Sequence, residues 1–265
     1  MRLEEAPIPC VVLAGGKARP EIQAATGQTN RALVVVNGKT LLGHVVEAVR
    51  AAAPPMGPIT VVGDVPGSAD YARLPDSGGF VENLFAGISA HADAPFVLIT
   101  TSDLPFLTGQ AVSDFVQGAV ARAQQEPGVG FIYPIVPVAA CYARFPGVRR
   151  TSLRLREGEF TGGNLMLARP GAALAQREPI AAAYAARKSP LKLAAMIGFG
   201  TLIRLVLSQK VAPGLLSVAF LEARVSRLLG CPARALVCDH AEIATDLDRP
   251  ADFAAVGLLP GAATP

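Results

Sequence analysis

Ile8-Pro9-Cys10-Val11-Val12-Leu13-Ala14-Gly15-Gly16-Lys17-Ala18-Arg19 begins as an unbroken apolar run and stops at two glycines and two cations. A short run without polar alternation predicts a β-strand buried on both faces, the kind found in parallel sheets covered by helices. The pattern recurs downstream. Pro58 to Gly63 and Pro95 to Thr101 are similar runs, the second ending at Ser102-Asp103. Gly16 to Arg31 reads as a polar loop, Ala32 to Val36 as a second apolar run, and Asn37-Gly38 as a turn. Thr40 can cap a helix whose apolar positions Leu41, Leu42, Val45, Val46 and Val49 keep helical spacing. Residues 82–92 and 109–126 also read as helices, and Val129 to Tyr133 as a strand. Strands alternating with helices predict an α/β fold of three layers, with a mostly parallel central sheet. Ligands in such folds bind beyond the carboxyl ends of the strands, so Gly15-Gly16 and Asp103 should face one crevice.

From about residue 140 the pattern changes. Arg149 to Phe160 alternates around a turn at Glu157-Gly158, and Thr161-Gly162-Gly163-Asn164 precedes the apolar run Leu165 to Ala168. Residues 171–229 carry about three helices. Ala235 to Cys238 and Glu242 to Leu247 read as short strands, and Pro250 starts a last helix. The expected organisation is one domain over 1–257, with a helical elaboration at about 171–230 and a loose tail at 258–265. No internal repeat is visible.

The chain of 265 residues is 51% hydrophobic and 17% charged, with a net charge of +3, which excludes disorder and leaves ample material for a core. Long Lys/Arg blocks are lacking, so nucleic acid is not an expected partner. Four isolated cysteines form no CxxC motif and fit reduced thiols in a cytosolic protein. The acidic start MRLEEAP lacks the apolar stretch of a signal peptide. Leu193 to Ile203, the longest uncharged apolar run, is shorter than the roughly 20 residues that cross a bilayer. A cytoplasmic location is the expectation.

Chemistry concentrates at the strand ends. Glycines let backbone approach a ligand, and their N–H groups can cradle phosphate oxygens, whose charge Lys17 and Arg19 would neutralise. The same stretch can equally form a tight βα turn with solvated cations. Neither the dinucleotide-binding glycine pattern nor the P-loop is completed here. His44, His91 and His240 are scattered and make no zinc-ligand spacing, and Ser102 has no nearby His for a hydrolase triad.

Leu13-Ala14-Gly15-Gly16 through Arg19, Arg31-Ala32-Leu33 and Gly38-Lys39-Thr40-Leu41-Leu42-Gly43-His44-Val45-Val46 together resemble the opening of the MobA-like nucleotidyltransferases. Asn83-Leu84-Phe85-Ala86-Gly87 resembles the helix start near that family's nucleobase, and Thr101 to Leu107 its metal-binding aspartate segment. Asp246 to Phe253 is similar to its closing segment. The resemblance implies a glycosyltransferase-A-like fold and Mg²⁺-dependent transfer of an NMP group from GTP or CTP to a phosphorylated small molecule. It places nucleotide binding at Leu13, Ala14, Gly15, Gly16, Asn83 and Gly87, and charge neutralisation at Lys17, Arg19 and Arg31. Asp103 and Asp246 match its metal positions, with Asp248 in reserve. Arg31 stands where relatives usually carry Lys, and the loop before it differs in shape from the common form. Asn83 could contact base or ribose, or cap its helix.

In enzymes of this kind the second half of the domain receives the acceptor. Gly163 and Asn164 are candidates there, as is Arg149 from the cluster Arg149, Arg150, Arg154 and Arg156, of which at least two are expected on a solvated strand face. A nucleotide-binding regulator or cofactor-delivery protein without turnover is the alternative, favoured by Arg31 and disfavoured by the paired aspartates. A glycosyltransferase using a nucleotide-sugar is a third reading. Leu191 to Leu207 predicts an unusually apolar helix: a core helix, a homodimer contact through Ile197 or Phe199, or a membrane-surface contact.

Overall fold

The structure is a computed structural model and describes residues 7–186, 196, 198–210 and 213–258. Its first half runs β1 (Cys10–Leu13), α1 (Pro20–Thr26), the ribbon β2 (Val35–Val36) and β3 (Lys39–Thr40), and α2 (Leu41–Arg50). β4 (Ile59–Val62), β5 (Ala72–Leu74), α3 (Phe80–Ser89), β6 (Val97–Thr101) and α4 (Gly109–Gln125) follow. Next come β7 (Phe131–Pro137), α5 (Val138–Arg144), β8 (Leu153–Leu155), β9 (Gly158–Gly162), β10 (Leu165–Ala168), α6 (Pro170–Ala175) and α7 (Arg177–Ala186). α8 (Phe199–Lys210), α9 (Val218–Leu229), β11 (Ala233–Val237) and α10 (Pro250–Ala255) complete the described chain.

Among the described residues the main sheet has nine strands in the order β5-β4-β1-β6-β10-β7-β9-β8, with β11 also pairing β7. β1 lies between β4 and β6 and is parallel to both, Val12 facing Val61 on one side and Thr100 on the other. The two-residue period of β1 divides its side chains between the outer layers. Cys10, Val12 and Ala14 pack with Val45, Val49 and Phe115 of α2 and α4, whereas Val11 and Leu13 pack with Leu84 and Ile88 of α3. β1 is buried throughout, which is why its sequence does not alternate. β10 is antiparallel to its neighbours β6 and β7. β9 and β10 follow each other along one edge of β7, interrupted at Gly163-Asn164, and Pro134 sits at the change-over with its carbonyl accepting from Gly163 N at 3.0 Å.

The α/β reading and the mostly parallel sheet hold, with β5, β4, β1 and β6 running parallel side by side. Several elements differ from expectation. The expected polar loop contains α1, started by Pro20 and ended by Gly27 in a left-handed conformation, with Ile22 as its buried anchor. Ala32 to Val36 is a 3-10 turn over Arg31–Leu33 followed by the two-residue β2. Glu242 to Leu247 is not a strand. It begins in a 3-10 turn, Ala241–Ala244, and its backbone is used by unrelated segments: Ile243 O accepts from Asn164 N, Ala244 O from Arg150, and Leu247 N donates to Asp103 O. The helical stretch holds four described helices, α6 to α9. Ile197, the side chain of Phe199 and residues 259–265 lie outside the described residues, and with them the expected dimer contact and most of the expected tail.

Candidate active site

Beyond the end of β1 the chain folds back on itself. Ala14 N makes a last sheet bond to Val62 O, and Gly16 O then accepts from Arg31 N at 2.8 Å. Asn30 fastens the return, its Nδ2 donating to Ala14 O at 2.9 Å while its Oδ1 accepts from Ala32 N. This closure brings Arg31 beside the glycines. A Cβ on Gly16 would stand 3.1 Å from Arg31 Nη2, and one on Gly15 would stand 2.3 Å from Asn83 Nδ2. Gly15 is therefore required by close approach.

Asn83 is buried and bonded at both ends of its amide: Nδ2 donates to Asp76 Oδ1 at 2.8 Å, and Oδ1 accepts from Ser77 N at 2.7 Å. The helix cap is Gly79, so Asn83 orders the loop before α3. A cavity of about 250 Å³ opens over these groups, lined by Leu13, Gly15, Gly16, Arg31, Asn83 and Thr101. Its rim carries Phe80 and Tyr184, whose rings stack at 4.6 Å. That pair was not anticipated; Gly78-Gly79 ahead of Phe80 was its one sequence signal, and Tyr184 in an alanine-rich stretch had none.

Asp103 follows β6 and is buried. Its Oδ2 pairs with Arg31 Nη2 at 2.8 Å, and its carbonyl receives Leu247 N at 3.0 Å, which draws Asp246 and Asp248 to the same place. Arg31 and Arg19 both pair with Asp248. Burial alone would push Asp248 up, but the hydrogen bond from Arg19 and the charge of Arg31 hold its carboxyl below the usual range. Asp246 is pushed the other way, first by burial and then by the negative charge of Asp103, with Arg150 and Arg31 pulling back.

Three buried polar atoms around this point lack a hydrogen-bond partner: Asp103 Oδ1, Thr101 Oγ1 and Arg31 Nε. Native proteins seldom leave such atoms unsatisfied, and ordered water, an ion or a ligand satisfies them. No described cluster of three or more His, Cys, Asp or Glu side chains is arranged to hold a metal. Two neighbouring carboxylates, one with a free buried oxygen, do suit Mg²⁺, which keeps water and phosphate oxygens in the rest of its shell.

A larger cavity of about 680 Å³ adjoins the aspartates and is lined by Arg149, Arg150, Thr161, Gly162, Asn164 and Asp246, among others. Arg149 is exposed, while Arg150 is fixed by donating to Ala244 O and to Thr245 Oγ1. Gly163 stays behind the wall, where a Cβ would stand 2.6 Å from Ile243 Cγ2. Arg154 and Arg156 point from the exposed hairpin toward Glu159 and Glu157 and do not line the cavity. Gly87 is also outside both cavities and marks where α3 crosses β1, a Cβ there standing 2.4 Å from Val11 Cγ1. Lys17 is exposed and Arg19 is committed to Asp248, so among the described residues Arg31 is the basic residue that lines the glycine cavity.

The chain matches the MobA-like NTP transferase domain over residues 10–190. It is 38% identical to a hypothetical transferase from Thermus thermophilus, with a TM-score of 0.80 over 93% of this chain and 99% of the other. A 2-C-methyl-D-erythritol 4-phosphate cytidylyltransferase, also from Thermus thermophilus, is 18% identical, with a TM-score of 0.52 over 95% of this chain and 98% of that one. A CMP:2-keto-3-deoxy-manno-octonic acid synthetase complexed with CTP is 12% identical, with a TM-score of 0.54 over 94% and 95%. At such identities the last two show the fold alone. No protein of curated function matches the chain. The family match covers the glycine loop, the Asp103 segment and the Gly162-Gly163-Asn164 interruption, and with it the chain belongs to the MobA-like NTP transferases.

Proposed function

We propose that the protein transfers an NMP group from CTP or GTP to a phosphorylated small molecule, releasing pyrophosphate with the help of Mg²⁺. One observation carries the reading: Asp103 and Asp246 lie together beside the Gly15-Gly16 loop, and Asp103 Oδ1 is buried with no partner.

The triphosphate lies over the glycines, with the Phe80–Tyr184 side of the cavity left for ribose and base. An acceptor phosphate oxygen attacks the α-phosphorus, the bond to the bridging oxygen breaks, and pyrophosphate leaves with that electron pair. The attacking oxygen is already anionic, so no general base is required and catalysis rests on positioning and charge. Arg31 faces the leaving phosphates, and Lys17 is free to join it. Arg149, Arg150 and Asn164 orient the acceptor. Asp103 and Asp246 would hold Mg²⁺, which when bound offsets charge on the phosphate oxygens.

The alternative is nucleotide binding without turnover. It draws on the Arg31 guanidinium, which already sits on Asp103 and Asp248 and supplies a positive charge from the chain itself. Pyrophosphate release measured with the four NTPs and a panel of phosphorylated alcohols separates the two. Asp103→Asn should lower the rate by at least about 100-fold, with folding checked by a cooperative urea transition whose midpoint falls because the buried pair with Arg31 is lost. Wild-type turnover in that variant would reject the metal assignment, and no release with any pair would favour the binding protein.

A further inference from the structure

A second recess lies on the face of the sheet covered by α3, α7 and α9. It is a cleft of about 360 Å³, walled by Leu84, Ile180, Ala183, Met166, Val225 and Tyr133, among others. Two polar side chains of its wall are engaged elsewhere. Glu222 Oε1 accepts from Ala235 N at 2.8 Å, and Arg234 pairs with Glu126. Apart from these two side chains and the Tyr133 hydroxyl the described wall is apolar, and apolar recesses of this kind take apolar guests.

Tyr133 joins this cleft to the acceptor cavity. Its ring is part of the cleft wall, and its hydroxyl meets Gly162, where a Cβ would stand 2.5 Å away. Gly162 itself lines the cavity of Arg149, Arg150 and Asp246. The charge of Asp246 reaches the Tyr133 hydroxyl and adds to burial in raising its pKa. A cationic cavity for a phosphate thus borders an apolar cleft across one side chain. A nucleoside triphosphate has no hydrocarbon to place in that cleft, so the guest belongs to the other substrate.

We propose that the acceptor is an amphiphile, a phosphorylated alcohol whose hydrocarbon chain lies in the cleft and whose phosphate lies on the Arg149–Arg150 side of Tyr133. The proposal rests on the transferase reading for the word acceptor, but its binding geometry is tested without turnover.

The full chain is titrated calorimetrically with butyl, octyl and dodecyl phosphate, each below its micelle concentration and without nucleotide. Affinity should rise with length by up to about fourfold for each methylene buried, with an increasingly negative heat-capacity change. Ala183→Phe and, separately, Val225→Phe fill the cleft and should flatten the series while leaving butyl phosphate binding unchanged. A flat series in the wild type would overturn the proposal and leave the cleft to a second copy of the chain. A graded series that survives both fillings would also overturn it. Graded binding without pyrophosphate release from any NTP would instead count against the transferase reading, and would leave the amphiphile as the cleft's ligand.

Discussion

Gly15 and Arg31 show how few side chains set up the site. Gly15 is glycine because the Asn83 amide occupies the space a Cβ would need, and Asn83 in turn holds Asp76 and Ser77. Gly15→Ala should displace Asn83, loosen the loop before α3 and weaken NTP binding by about tenfold or more, since each lost buried hydrogen bond is worth on the order of 1–3 kcal/mol. Calorimetric titration of the variant with CTP and GTP checks this, and unaltered affinity would mean that the loop is not part of the nucleotide site. Arg31 was legible as a cation near the glycines, but not as the bridge between Asp103 and Asp248. That bridge joins distant parts of the chain, and no local spacing encodes it. A lysine has one ammonium and would not reach both carboxylates with separate nitrogens, so the departure from the family's usual residue has a structural consequence here.

Elements buried on both faces were the most legible, because burial removes polar residues from the sequence itself. β1, β4 and β6 read as strands from apolar runs alone, and α2 from its spacing and its cap, Thr40, whose Oγ1 accepts from Gly43 N at 3.0 Å. Elements with a single buried anchor were missed. α1 keeps only Ile22 inside, and its Pro20 and Gly27 signals sat in a stretch too polar to suggest a helix. The Glu242 to Leu247 segment misled for the opposite reason: Ile243, Ala244, Thr245 and Leu247 are buried, yet the backbone groups there are satisfied by loops and an arginine instead of a neighbouring strand. The packing of α3 against β4 carries its own pH dependence. His91 follows α3, and its Nε2 lies 2.9 Å from Thr60 Oγ1, with burial pushing the imidazole pKa below its usual value. The unfolded chain takes up that proton near pH 6.5, whereas the folded chain takes it up only at lower pH. The contribution is therefore complete above pH 6.5 and is lost as pH falls through the folded value. Urea midpoints measured from pH 7.5 down to pH 5 should fall more steeply for the wild type than for His91→Gln, and parallel curves would show that His91 is not involved.

The site as a whole is assembled from three distant parts of the chain: the glycine loop with Arg31, the end of β6 with Asp103, and the segment carrying Asp246 and Asp248. The first two were legible as strand ends facing one crevice. The acceptor side was legible only as a cluster of arginines and glycines, because its shape depends on β9 and β10 switching partners along β7 and on Arg150 reaching across to Ala244 and Thr245. Without ligand, Arg31 balances Asp103 and Asp248, while Asp246 is driven toward its protonated form first by burial and then by the like charge of Asp103. Mg²⁺ alone has to compete with a guanidinium already in place and finds no phosphate oxygens to complete its shell. A triphosphate alone brings its own negative charges toward the same aspartates. Each should therefore bind weakly by itself and the two should bind cooperatively, with the triphosphate drawing Arg31 toward its oxygens and freeing Asp103. Since the ligands tie together all three parts of the chain, the gain should appear as stability of the whole fold. Mg²⁺ alone should leave the unfolding free energy nearly unchanged, nucleotide alone should raise it slightly, and the pair at 100-fold excess over its Kd should add about 2.7 kcal/mol. Asp103→Asn should keep the nucleotide increment and lose the additional gain from Mg²⁺. Full stabilisation of the wild type by Mg²⁺ alone, or an undiminished cooperative gain in Asp103→Asn, would show that the carboxylates and the glycine loop do not serve a single metal–nucleotide complex.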